Sequence, residues 1–273
     1  TASGRAAGSV GAVTTVLLSM AFDEPVQGAG LDVSSMELVS GDGQSYQLGV
    51  WSAETRVTAA TATNGSSVDV VLGRSDADAV RAVISLCVST STCQLVHGGG
   101  LVQDMAGNAV SARVAGGSGA AGPLVADTFA GDTTPPVLED ATLDMDAGVL
   151  ELVFSEAVPV LTFVPERVQL YGSACGSVWR YGLSGDAGVA GVAGVSEGGF
   201  VGAGVYVSSR VRVNVSESDL NEIRALAGVA RGVGSTFVGL GAGGVYDMSG
   251  NSAVALVECG NGAVSVSEYE PDQ

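Results

Sequence analysis

The chain has 273 residues, 29 acidic and 11 basic, for a net charge of −18 at pH 7. That balance argues against a nucleic-acid partner, because phosphate binding needs a basic patch. It suits solubility, cation binding or repulsion between exposed surfaces. The length is enough for two domains, each able to bury a core without help from a metal.

Every basic side chain is Arg, and there are 41 Gly. The longest apolar runs are broken by Gly, Ser or charge, so neither a transmembrane helix nor a signal peptide is expected. The chain opens on Thr1 rather than Met, which reads as a processed protein or a piece of a longer one.

Thr1–Gly11 is small and polar and reads as a linker or as the end of a preceding module. An apolar strand follows over Val13–Met20, ending in Ala21-Phe22-Asp23-Glu24-Pro25-Val26. Short strands are expected at Met36-Glu37-Leu38 and Tyr46-Gln47-Leu48. Val68, Val70 and Leu72 alternate as in a half-buried strand, and a helix follows, started by Ser75 with Asp78. Its apolar face is Val80, Val83 and Ile84. A turn at Asp104-Met105-Ala106-Gly107-Asn108 closes this half.

Ala115–Gly122 is glycine-rich, and Asp132-Thr133-Thr134-Pro135-Pro136 stiffens a junction. The pattern then recurs. Leu150, Leu152 and Phe154 alternate with Glu151 and Ser155, and strands are expected at Val168-Gln169-Leu170 and Tyr181-Gly182-Leu183. Gly182, Gly185, Gly188, Gly191 and Gly194 fall at every third place. Proline is absent there, so a long loop or loose hairpin within 182–204 is expected rather than a collagen helix. Val211, Val213 and Val215 make a strand, and Ser216 or Ser218 with Asp219 starts a second helix with Leu220, Ile223 and Leu226 inward. Asp247-Met248-Ser249-Gly250-Asn251 repeats the closing turn.

The repetition is direct. Ser209–Val254 repeats Ser66–Val110, and at a shift of 143 residues Ser75-Asp76 falls on Ser218-Asp219, Arg81-Ala82 on Arg224-Ala225 and Asp104-Met105 on Asp247-Met248. The expected fold is therefore all-β, two tandem sandwich domains with one short helix each. The expected boundaries are 1–131 and 132–257, with 258–273 a tail or the start of another segment.

Candidate chemistry is sparse. Cys87 and Cys93 lack the spacing of a zinc site. The favoured reading is an oxidising compartment, a local Cys87–Cys93 bridge and a second bridge using Cys175 and Cys259; the alternative is four buried thiols. His97 stands beside Gly98-Gly99-Gly100, is matched by Leu240 in the second copy, and reads as an exposed loop histidine rather than a catalytic one. Carboxylate pairs such as Asp23/Glu24, Asp76/Asp78 and Asp144/Asp146 read as solvated, not as a glycosidase pair. No catalytic residue and no cofactor is expected, save calcium, for which Asp104, Asp132, Glu139 and Asp247 are loop candidates. Asn64-Gly65-Ser66 and Asn214-Val215-Ser216 fit the N-glycosylation pattern, with Asn64 in a polar loop and Asn214 on a strand. Trp51 and Trp179 read as packing residues, with a sugar-stacking platform as the alternative.

The run DTTPPVL, LELVFSEAV, SDLNEIRAL, VYDMSGNSAV resembles the bacterial-type immunoglobulin-like domains first recognised in S-layer proteins. In that family a TPP segment opens the domain and a D-x-x-G-N turn lies near the last strand. The likeness covers Asp132–Leu256 and, without the TPP start, Val13–Val110. Such arrays also occur on algal and protist surfaces. The Lys-free, Gly- and Ala-rich composition is similar to that of a green alga with a GC-rich genome, which implies a flagellar-hair (mastigoneme-like) home. The resemblance implies a non-catalytic structural module of an extracellular or cell-surface protein, a rigid spacer or filament unit. Its implied partners are copies of itself or other domains of one long chain. The alternative is a carbohydrate-binding or adhesion module with a glycan partner.

Overall fold

The computed structural model describes residues 16–49, 54–83, 85–191, 200–202, 205–259 and 262–272. The expected linker Thr1–Gly11 and Trp51 lie outside them, as does much of 182–204. The chain divides into two compact units, Thr14–Asp132 and Thr133–Gln273. It is mostly β, and no helix among the described residues is long and apolar enough to cross a membrane.

In the first unit the chain forms β1 (Leu17–Val26), β2 (Met36–Val39), β3 (Ser45–Gln47), β4 (Arg56–Val57) and β5 (Gly65–Val71). Helix α1 (Arg74–Ala82), β6 (Gln94–His97) and β7 (Leu124–Val125) follow. Two antiparallel sheets result, β1-β5-β4 and β3-β2-β6-β7. Alternation in β5 turns Val68 and Val70 inward, where they meet Met36, Leu38 and Leu95 of the other sheet in one core. Each such side chain contributes about 1.5–3 kcal/mol by leaving water. The two layers around a shared core are the β-sandwich arrangement.

The second unit repeats the plan with longer strands. It contains β8 (Leu138–Asp144), β9 (Val149–Pro159), β10 (Val168–Tyr171), β11 (Arg180–Gly182), β12 (Gly188–Gly191), β13 (Phe200–Gly202) and β14 (Val205–Asn214). Helix α2 (Glu217–Ala225), β15 (Phe237–Leu240), β16 (Val264–Ser265) and β17 (Glu268–Glu270) complete it. The sheets are β11-β10-β15-β16 and β12-β14-β9-β8-β17, with β13 also on β14. Val211 and Val213 of β14 are buried, whereas Arg212 and Asn214 face out. On that outer face Glu151 of β9 holds Arg210 at 2.9 Å and Arg212 at 3.7 Å, a cross-strand charge ladder. Phe154 is fully buried and meets Phe163 edge-on, with centroids 6.4 Å apart.

Residues 258–273, read from the sequence as a tail or a new segment, supply β16 and β17 here. β16 pairs antiparallel with β15, and β17 runs parallel to β8. Val266 between them is buried. The first helix differs from expectation at its start, and the second starts as expected. Each has nine residues, about two and a half turns. Ser75 does not cap α1; Gly73 occupies that place with no side-chain bond. Ser216 caps α2, its hydroxyl accepting from the Asp219 amide at 3.1 Å.

Candidate functional site

The polar side chains that the two copies share converge on three arrangements, each built twice. The first is a buried carboxylate at the third residue of each helix, where the unpaired amides of the first turn favour negative charge. Asp76 accepts the Tyr46 hydroxyl at 2.6 Å and the Gly49 amide at 2.9 Å, and it also holds the Thr55 hydroxyl. Thr55 in turn accepts the Gly73 amide at 2.8 Å, which meets the start of α1 from below. Asp219 accepts the Tyr181 hydroxyl at 2.7 Å and the Ser184 hydroxyl at 2.9 Å. Both aspartates are buried. Tyr46 stands on β3 and Tyr181 on β11, the outer strand of one sheet, while each helix follows a strand of the other. The carboxylate therefore ties the two layers of its unit together. Burial, then the neighbouring Asp219, push the Tyr181 phenol up to about 12. Burial and Asp76 push Tyr46 higher still.

The second arrangement is the D-x-x-G-N turn. Asp104 Oδ1 accepts the amides of Ala106 and Asn108, both at 2.8 Å, and Oδ2 accepts the Asn108 side chain at 2.7 Å. Asp247 repeats this with Ser249 at 2.8 Å and with Asn251 at 2.7 Å for both amide and side chain. Gly107 at φ +89° and Gly250 at φ +88° take the left-handed step that a side chain would disfavour. The side chain and amide of Asn108 hold the Asp104 carboxyl below the usual carboxylate range.

The third is an ion pair between the helix and the end of the unit. Arg81 lies 2.9 Å from Asp132, and Arg224 lies 2.7 Å from Asp272. Arg81 also stands 3.5 Å from Asp78, and the Arg224 guanidinium donates to the Met145 carbonyl at 3.2 Å. The first pair is well shielded from water and the second is open to it.

Of the calcium candidates, Asp104 and Asp247 close their turns and Asp132 pairs with Arg81. Glu139 points outward from β8. Neither Asp104 nor Glu139 joins a group of three or more metal-ligating side chains among the described residues. Asp247 is buried, and a carboxylate oxygen of the buried Glu156 lies within 4.8 Å of one of its own. In the sequence, Glu156 looks like one more residue of the strand LELVFSEAV.

His97 departs from expectation. It is the last residue of β6, buried rather than exposed, with Nδ1 2.9 Å from the Gly98 carbonyl. The disulfides join Cys87 to Cys93 and Cys175 to Cys259. The second spans 84 residues and ties the loop between β10 and β11 to the segment between β15 and β16. Asn64 and Asn214 both expose their side chains. Trp179 is 40% exposed and lies over Gly228, where even a methyl group would collide with the ring. The tyrosine–aspartate pair was within reach of the sequence: Tyr-x-Leu occurs in both copies, and Asp76 aligns with Asp219. No protein-family model matches the chain, and no curated protein matches it.

Proposed function

We propose that this chain is a non-catalytic structural module of a longer extracellular or cell-surface protein. It consists of tandem immunoglobulin-like sandwiches that act as a rigid spacer or filament-building unit. The observation that carries the reading is how the shared polar groups are used. Asp76 and Asp219, Asp104 and Asp247, and Arg81 and Arg224 all hold the fold of their own unit. Repetition therefore preserves architecture, as a chain built from interchangeable units requires. Two disulfides suit an oxidising compartment. Copies of the module, or other domains of one long chain, are its partners through lateral faces and ends, as in a flagellar-hair filament.

Electron microscopy of the native protein tests this. A periodic filament with these units in its wall supports the proposal, and a dispersed monomer counts against it. A second reading, a carbohydrate-binding or adhesion module, is favoured by the exposed ring of Trp179. A glycan array separates the two: specific binding abolished by Trp179→Ala supports the second reading.

A further inference from the structure

We infer that Asn64 carries an N-linked oligosaccharide, an inference that rests on the extracellular reading above. Asn64 is exposed at the end of the turn that leads into β5, and Ser66 of its Asn-Gly-Ser sequence is exposed as well. None of the hydrogen bonds among the described residues uses either side chain. The turn is held from within. Thr58 and Thr61 join their hydroxyls at 2.8 Å, and the Thr61 hydroxyl accepts the Asp69 amide at 2.8 Å. Gly28 packs beneath, where a Cβ would come within 2.5 Å of the Thr61 carbonyl. The acceptor thus projects from an anchored turn, and a bulky substituent there displaces no packed group.

The other Asn-x-Ser sequence has a different setting. Asn214 also faces water, but its backbone lies in β14, paired with Gly188 on one side and Val149 on the other. The hydroxyl of its sequence, Ser216, is taken by the start of α2. Folding consumes this acceptor and leaves the first one open. The position equivalent to Asn64 in the second copy is Val207, so the modification marks one unit and not the repeat.

In the transfer, the Asn64 amide nitrogen attacks the anomeric carbon of a lipid-linked oligosaccharyl pyrophosphate. A carbon–nitrogen bond forms, and the carbon–oxygen bond to phosphate breaks with its electron pair on the departing pyrophosphate. The amide proton passes to solvent. The attached glycan stands beside β5, whose edge β4 covers at Val70 and Val71 and the Thr58–Thr61 turn covers at Asp69.

The test is secretion of the whole chain from a eukaryotic cell, followed by mass spectrometry of its peptides before and after peptide-N-glycosidase. The expected result is a glycan on the Asn64 peptide, released with conversion of Asn64 to Asp. Asn64→Gln and Ser66→Ala should abolish it, and Asn214→Gln should leave it in place. A chain that emerges with both disulfides formed and Asn64 bare overturns the glycan and leaves the extracellular reading standing. Native protein isolated from its own cells with four free thiols overturns that reading, and the glycan with it.

Discussion

After α1 the chain turns through Cys87 at φ 50°, and the Cys87 amide donates to Thr92 at 3.0 Å. After α2 it turns through Ala230 at φ 49°, and the Ala230 amide donates to Ser235 at 3.0 Å. The two loops share this bond and a hydroxyl lock, since the Thr92 hydroxyl accepts the Val88 amide at 3.0 Å and the Ser235 hydroxyl the Arg231 amide at 3.2 Å. The first unit adds the Cys87–Cys93 bridge. The second has Thr236 where the first has Cys93, and its hydroxyl donates to the Gly232 carbonyl at 2.8 Å. Left-handed backbone at a residue with a side chain costs about 1–2 kcal/mol, so both loops need such a lock. The shape is thus a property of the fold, and the disulfide reinforces a loop that hydrogen bonds already hold.

The largest test of that comparison is on the bridges. By loop closure, replacing Cys175 and Cys259 with Ser should cost about 4–5 kcal/mol, and replacing Cys87 and Cys93 only about 2 kcal/mol. Urea unfolding followed through Trp179 fluorescence, with Trp51 replaced by Phe, reads the first of these. Equal costs would mean that the short bridge does more than close a loop the fold already favours.

Next comes the core. Phe154→Ala should cost about 3–5 kcal/mol, because the ring is buried against Phe163. Phe22, at the matching place in the first unit, is only half-buried, and its replacement should cost clearly less. Calorimetry of both variants decides whether the shorter strands of the first unit leave it with the looser core.

Asp76→Ala and Asp219→Ala should each cost about 2–4 kcal/mol, since each leaves buried donors without an acceptor. The same sites govern alkaline stability. The Tyr181 phenol is raised to about 12 from an unfolded value near 10. Its stabilising contribution is therefore complete below pH 10 and is lost as pH rises through 12. Urea midpoints measured across that window should fall, and Tyr181→Phe should flatten the decline. A slope that survives this change would place the sensitive group elsewhere.

The smallest effect is at the helix starts. Ser216→Ala should cost about 1 kcal/mol, whereas Gly73→Ser should change the first unit by only a few tenths of a kcal/mol. Thermal melts of the two variants compare a capped helix with an uncapped one.

Much of the fold is legible in the chain itself. Period-two alternation marks β5, β9 and β14, and the aligned Asp residues mark both helices and both closing turns. The Asp76 and Asp219 arrangements are harder to see, because each joins residues 30 or 38 apart across two sheets. Local pattern cannot show which tyrosine meets which acid, although their joint repetition hints at it. β16 and β17 have two and three residues, too few for periodicity. His97 misleads through the three glycines after it. Its counterpart Leu240 is a core residue, and that substitution was the sign of burial. Gly73 gives no side-chain signal for a cap, so a nearby serine draws attention instead.

The parallel pairing of β8 with β17 has a mechanical consequence. β8 is the first strand of the second unit and β17 the last, and Thr142, Leu143 and Asp144 pair with Glu268, Tyr269 and Glu270. Tension between the ends of this unit drags the two strands past each other along their length. The rungs are then strained together, not peeled open in turn. The Arg224–Asp272 ion pair and the bond from the Tyr269 hydroxyl to the Ala230 carbonyl at 2.7 Å are strained with them. Force entering at the last strand is shared between the sheet and the helix, so this unit resists extension most along the direction in which its chain runs.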